Sequence, residues 1–245
     1  MDKNVNSKSI GDLKLKPEPI LVFTIDDNYI TDYDIAYAEF AKRGIRGTLF
    51  ICTVNTGCKI GVWGEQHLSW KQILEMWENG WDIQCHSHNH HRLTELTEPE
   101  IRAELEKVND FFKVNSLPLP RHHAFPEGAY NNLVKKIVAE YRLSSRSVDP
   151  GFIYTYDSID LGSYAAFHGD MQIDKDLTRI IAAIEETIFK NGIIVLYIHK
   201  IVQSGPSRYE CLRSLLEELL DFIISSGITA VTVSEMYRKV IAYRK

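Results

Sequence analysis

Three clusters of polar residues in this 245-residue chain have the types and spacing that chemistry needs. The first, Thr24-Ile25-Asp26-Asp27, sets two adjacent carboxylates at the end of an apolar run. Neighbouring strand residues point to opposite sides, so such a pair suits two jobs, one carboxylate for a cation and the other for protons. Taken alone, the same residues would read as turn caps that accept from backbone N–H groups. The second, Cys85-His86-Ser87-His88-Asn89-His90-His91, is dense in histidine. His86 and His90 are four apart, a separation that sets two imidazoles on one side of a helical turn. Histidine is the commonest metal ligand. Two imidazoles and one Asp leave positions open for water and substrate, which suits a catalytic Zn²⁺ or Fe²⁺ rather than a closed structural site. His88 and His91 read as supporting or surface residues. The third, Leu196-Tyr197-Ile198-His199, ends an apolar strand in one histidine, a candidate general acid or base; alone it would read as a core-edge histidine.

All three clusters lie just after strand-like runs, and in parallel α/β folds those strand ends gather on one face and build the site. The pattern predicts strands over 19–25, 46–53, 81–85, 121–125, 143–148, 158–164, 192–198 and 228–233, alternating with helices over 34–43, 69–79, 97–114, 129–141, 174–190 and 210–226, and a last helix capped by Ser234. Ser69 and the capping box Thr97-Glu98-Pro99-Glu100 mark two helix starts, and Gly44, Gly80 and Gly227 mark ends. Such alternation predicts βαβ units. With no Pro/Gly/Ser-rich linker, the expectation is an α/β fold: a single-domain distorted (β/α) barrel of about seven parallel strands over residues 19–245, after an N-terminal extension over 1–18.

Composition excludes several classes. With 44% hydrophobic residues, only 14 Gly and 8 Pro, the chain is neither disordered nor collagen-like. A net charge of −5 argues against a large nucleic-acid face. The four cysteines form no CxxC pair. Cys52, Cys85 and Cys211 read as core residues and Cys58 as a loop residue; Trp70, Trp77 and Trp81 read as core, and Trp63, in a Gly-containing loop, as a pocket-lining candidate. The longest apolar run, Ile193 to Ile198, cannot span a bilayer, and residues 1–19 have no apolar core of a secretion signal. The expectation is a cytoplasmic protein as the chain stands, and an extracellular one if a leader has been removed.

In this order the clusters resemble the NodB-type polysaccharide deacetylases, carbohydrate esterase family four, from about Ile20 to Tyr237. Thr24-Ile25-Asp26-Asp27 stands for T-F-D-D. Gly80-Trp81-Asp82-Ile83 leads into His86-Ser87-His88-Asn89-His90 for H-[S/T]-x-x-x-H. Phe125-Pro126-Glu127-Gly128 stands for a motif ending in P-Y-G, and Leu196-Tyr197-Ile198-His199 for L-x-I-H. The resemblance implies one divalent metal ion, Zn²⁺ first with Co²⁺, Ni²⁺ or Fe²⁺ also compatible, held by Asp27, His86 and His90. It implies Asp26 as catalytic base, His199 as catalytic acid, and the Glu127 backbone N–H as an oxyanion donor, with Pro126, Gly128 and Tyr130 completing the substrate pocket. The implied substrate is an N-acetylated carbohydrate, with no nucleic acid and no membrane segment involved.

The chain departs from the pattern in four places. Ala124 stands where an Arg two positions before the proline supports the base; His122 and His123 lie close by, and Arg121 or Arg146 could substitute. Glu127 replaces the aromatic of P-Y-G, and Asn28 replaces the Gly after the paired aspartates. For the fourth, Asp-rich motif the nearest match is Tyr156-Asp157-Ser158-Ile159-Asp160-Leu161. Two other functions remain open at this level: hydrolysis of another C–N bond, such as a cyclic amide of the allantoinase type, and a non-catalytic carbohydrate-binding domain.

Overall fold

The strand-like runs become a closed ring of parallel strands whose carboxyl ends share one rim. The computed structural model describes residues 16–61, 64–148 and 150–245; Trp63 and most of the N-terminal extension lie outside the described residues. The ring is β1 (Ile20–Asp26), β2 (Thr48–Ile51), β3 (Asp82–Cys85), β4 (His122–Ala124), β5 (Ser144–Val148), β6 (Tyr164–His168) and β7 (Ile193–Ile198), closed by pairing of β7 with β1. The outer layer holds α1 (Ala38–Lys42), which continues a π-helical turn over Asp32–Tyr37, α2 (Trp70–Glu78), α3 (Glu98–Val114), α4 (Asn132–Tyr141) and α5 (Asp174–Lys190). After β7, the short pair β8 (Lys200–Val202) and β9 (Glu210–Leu212) leads to α6 (Arg213–Ser226), β10 (Thr229–Val231) and α7 (Val233–Tyr243).

Alternation along each strand divides the core. Leu21, Phe23 and Ile25 of β1 pack outward against the helices, in one cluster with Phe40, Ile73, Leu105 and Leu216. Ile20 and Val22 point into the barrel with Phe50, Tyr164, Val195 and Tyr197. This parity carries Thr24 and Asp26 into the lumen as well. The amino-terminal end of the barrel is shut by α7, whose Val233, Met236 and Val240 join the interior cluster. Its first turn is held from the barrel floor: Asp82 accepts from the Ser234 N–H and Oγ–H, each at 2.9 Å, and Thr48 Oγ1 accepts from the Val233 N–H at 2.9 Å. Beside the first half of β1, before its pairing with β2 begins, β10 fills the remaining edge.

The helix signals hold: Ser69 with Gln72 and Thr97 with Glu100 form capping boxes, and Gly227, at φ 72°, ends α6. Four expectations are corrected. The last helix is capped by Thr232, whose Oγ1 accepts from the Glu235 N–H at 3.3 Å, and Ser234 lies within its first turn, bonded to Asp82. The strand predicted over 158–164 lies at Tyr164–His168, because 155–163 is bound into local turns by Thr155–Ser158 and Asp160–Gly162 hydrogen bonds. Residues 210–212 are strand, so α6 starts at Arg213. Trp81 is buried and Trp70 packs against the core, but Trp77 is 38% exposed on the outer face of α2.

Candidate active site

β1 delivers Asp26 and Asp27 to the open rim, and β3 delivers His86. The Asp27 Oδ1 atom lies 3.5 Å from His86 Nε2 and 3.5 Å from His90 Nε2. Tetrahedral Zn²⁺ with bonds of about 2.0–2.2 Å separates its ligand atoms by roughly 3.3–3.5 Å. Both Asp27 distances match that spacing, and the three donor atoms lie within 4.8 Å of one another. His86 Nδ1–H donates to the Ala124 carbonyl at 2.8 Å, which turns the Nε2 lone pair toward Asp27. Burial pushes the His86 imidazole down to about 4, against the pull of Asp26 and Asp27, so it is a neutral donor at pH 7. The histidines do not share a helical turn. Ser87 and His90 take left-handed backbone, φ 65° and 59°, and the His90 N–H donates to Ser87 Oγ at 3.0 Å, folding a loop that brings the two rings to 4.8 Å. Asp27 and Asn28 are also left-handed, φ 77° and 47°, a conformation Asn tolerates better than most residues. Asn28 Oδ1 accepts from the Cys52 N–H at 2.9 Å, and the Asp27 carbonyl meets His67 Nδ1 at 3.0 Å.

Cys52 is buried, yet it belongs to this cluster. Its Sγ lies 3.9 Å from Asp27 Oδ1 and donates to the His86 carbonyl at 3.3 Å. Burial and the nearby Asp27 and Asp26 charges push its thiol well up. Cys85 and Cys211 are core residues as expected, and Cys58 is half-buried.

The missing support for Asp26 comes from β5. Arg146 has no exposed surface and donates through one terminal nitrogen to both Asp26 oxygens, at 2.6 Å to Oδ1. Ala124 on β4 and Arg146 on β5 are register partners. The guanidinium thus enters the lumen one strand over from the expected position, and Ala124 leaves it room. The Phe50 and Tyr197 rings hold it at 5.3 and 5.1 Å. Burial pushes the Asp26 carboxyl up, but Arg146, then His86 and His199, outweigh burial and hold it below the usual carboxylate range. Arg121 is exposed, His122 bonds Ser144 at 2.8 Å, and His123 lies against Cys85 at 3.2 Å; none of them reaches Asp26.

His199, after β7, pairs with Asp170 rather than with residues 156–161. Asp170 Oδ2 accepts from His199 Nδ1–H at 2.6 Å, and Oδ1 accepts from the His199 backbone N–H at 2.8 Å. Burial alone would lower His199; the Asp170 charge outweighs it and lifts the imidazole to about 9. Asp157 and Asp160 bind Tyr243 and Lys135 on the outside. In the sequence, Asp170 lies beyond the predicted strand over 158–164; only with β6 at Tyr164–His168 does it stand just past a strand end.

Asp26, Asp27, His86, His90 and His199 all line one cavity of about 590 Å³, within the usual range of about 300–1,000 Å³ for small-molecule sites. Its walls add Tyr29, Phe125, Glu127, Gly128, Val148, His168, Tyr197, Arg208 and Tyr209. Glu127, left-handed at φ 54°, sends its carboxylate to Arg92 on the rim. Pro126 is buried behind this wall and Tyr130 stacks on Phe125 at 5.1 Å, so both back the wall instead of lining it.

Known proteins share this fold and sequence pattern. The sequence pattern of the family described as polysaccharide deacetylase matches residues 14–145. YxkH of Bacillus subtilis (strain 168) is 27% identical over 154 residues, 62% of this chain and 51% of its own length. A chitin deacetylase of Arthroderma benhamiae is 25% identical over 202 residues, 80% of this chain and 46% of its own length. The chain thus spans about half the length of these relatives. A polysaccharide deacetylase structure from Mycobacterium smegmatis superposes with a TM-score of 0.72 at 14% identity, over 94% of this chain and 93% of that one. A family match over more than half of the sequence, with a shared barrel, places this chain in the polysaccharide deacetylase family of hydrolases, which act on N-acetyl C–N bonds.

Proposed function

We propose that the chain removes N-acetyl groups from an amino-sugar oligomer or polymer, with Asp26 as base and His199 as acid. One observation carries this reading. Two oppositely prepared groups, a carboxylate held ionised by Arg146 and an imidazolium held protonated by Asp170, face one cavity beside a three-donor metal set. Such a split between acid and base is what hydrolysis of an amide needs.

Asp27, His86 and His90 would hold one divalent ion, and Zn²⁺ suits their donor set and spacing. When bound, such an ion supplies Lewis acidity, polarising a carbonyl and making water more acidic. Asp26 takes the proton of the attacking water. Its pairing with Arg146 keeps it ionised and fixes its direction. The Glu127 backbone N–H donates to the oxyanion as the carbonyl becomes tetrahedral. His199 then gives its Nε2 proton to the departing nitrogen, because an amide nitrogen leaves poorly without one. Acetate and a free amino sugar result. The chitin deacetylase relative supports N-acetylglucosamine units as the substrate class. The presence of both Asp26 and His199 in the cavity speaks against a purely carbohydrate-binding role.

The test is acetate release from N-acetylglucosamine oligomers by wild type and Asp26→Asn, with metal content measured on both. Asp26→Asn should keep about one ion per chain and lose about 10²–10⁴-fold in kcat. Full activity of Asp26→Asn would overturn the base assignment.

A further inference from the structure

The acid–base reading uses Asp170 and His199 and leaves His168 unexplained. His168 ends β6, lines the cavity, and keeps 26% of its side chain exposed. Its Nε2 lies 3.1 Å from Asp170 Oδ2, the same oxygen that His199 Nδ1 meets at 2.6 Å. The three donor atoms lie within 4.8 Å of one another. Asp170 itself is buried, and among the described residues its ion pairs are with these two histidines, not with Lys or Arg. The rings are preset: Arg179 donates to the His168 carbonyl at 2.7 Å, Tyr197 packs on the His168 ring at 5.3 Å, and Tyr209 packs on the His199 ring at 5.5 Å.

We propose that His168, Asp170 and His199 form a second, weaker site for a divalent transition-metal ion, and that its occupation inhibits the enzyme. Two imidazoles and one carboxylate, open on the cavity side, are a donor set that binds Zn²⁺. Ligand atoms around tetrahedral Zn²⁺ sit roughly 3.3–3.5 Å apart. The His168–Asp170 distance is nearly there, and the His199–Asp170 distance has to open by less than about 1 Å. Binding releases the His199 Nδ1 proton to solvent and replaces the hydrogen bond to Asp170 with two bonds to the ion. The imidazole is then neutral, and its orientation is set by the ion instead of the carboxylate. The inhibitory consequence rests on His199 being the acid; the binding does not.

The experiment is equilibrium dialysis against Zn²⁺ on wild type, Asp27→Ala and His168→Gln, with acetate release assayed at one equivalent and at excess Zn²⁺. Gln at 168 can still donate to Asp170 but is a poor ligand. Wild type should bind two ions per chain in two steps, Asp27→Ala only the weaker, and His168→Gln only the tighter. Excess Zn²⁺ should slow wild type at least ten-fold relative to its own rate at one equivalent, and leave His168→Gln, whatever its basal rate, within two-fold of its own. A wild type that stops at one ion lost in Asp27→Ala, or a His168→Gln protein that still binds two, overturns the proposal. One ion in both wild type and Asp27→Ala, absent from His168→Gln, would sustain this site and defeat the Asp27–His86–His90 assignment. His168→Asn repeats the test if His168→Gln fails to fold by circular dichroism.

Discussion

Replacing Arg146 by Ala isolates the link on which the proposed base depends. Asp26 and Arg146 are both buried, at 2% and 0% exposure. Removing one partner of a buried ion pair costs about 3–5 kcal/mol, because the other charge is left without compensation. A proton taken up by Asp26 relieves that cost only below the raised value of its carboxyl, so at pH 7 the charge stays uncompensated. At 1.36 kcal/mol per pKa unit, ~3 kcal/mol corresponds to an upward shift of about two units. The wild-type carboxyl is held below its ordinary value, so its stabilising contribution is complete above about pH 4 and is lost as pH falls through the folded-state value. In Arg146→Ala that contribution is missing at neutral pH. The acid limb of kcat/KM should move up by about two pH units, and urea unfolding at pH 7 should show a loss of about 3–5 kcal/mol.

The register between β4 and β5 provides the rescue. Ala124 and Arg146 are Cα partners on adjacent parallel strands, and both face the lumen. Combining Ala124→Arg with Arg146→Ala conserves side-chain volume and returns a guanidinium to Asp26 from the neighbouring strand. The double variant should regain the wild-type acid limb. Should Arg146→Ala not fold, Arg146→Lys keeps the charge but loses the planar fork, and its limb should shift less. An Arg146→Ala protein with an unmoved acid limb and an unfolding free energy within about 1 kcal/mol of wild type would refute the tether.

Three further outcomes are expected. Asp27→Ala and His86→Ala should each lose the tightly bound ion, read as metal per chain by elemental analysis, together with activity. His199 is the protonated partner and sits at about 9, so kcat/KM should hold through neutral pH and fall as pH rises through about 9; Asp170→Asn should bring that limb down toward the ordinary histidine value of 6.5, and an unmoved limb would exclude His199 as the acid. Gly128→Ala should damage the cavity wall, because its backbone is left-handed at φ 68° and a Cβ there would meet Val148 Cγ2 at 2.3 Å; a displacement of about 1 Å at the wall should cost on the order of 10²-fold in kcat/KM.

What could be read from the sequence follows the physics of the elements. β1 and β7 were visible because strands buried on both faces are continuously apolar. Asp26, Asp27, His86 and His199 were visible because polar residues stand directly after such runs. β5 hid its importance: Ser144-Ser145-Arg146-Ser147-Val148 lines a lumen in which polar side chains bind one another, so its pattern carries no apolar signature. β6 is centred on Ala165 and Ala166, weak strand formers whose place comes from neighbours on both sides. Asp170 lies outside the linear motif over 156–161, and its pairing with His199 spans 29 residues. Cys52 is buried as its sequence suggests, and its place beside Asp27 is a contact across 25 residues that no linear pattern marks. His86 and His90 stand side by side through left-handed residues that fold their loop, which helical spacing does not capture.

Closure of the barrel has a consequence for the nascent chain. The first strand is bonded to one made 172 residues later, as Thr24 Oγ–H to the Leu196 carbonyl marks, and the outer half of its other edge waits longer still, for β10. At about 5–20 residues per second, translation leaves Ile20–Asp26 with an open edge for roughly 10–35 s. That segment is the most apolar strand to emerge early, and an unpaired apolar edge templates association with other chains. The ring cannot seal co-translationally from its amino end. Its yield in the cell should therefore depend on how well the early strand is shielded, more than on the final stability of the sealed barrel.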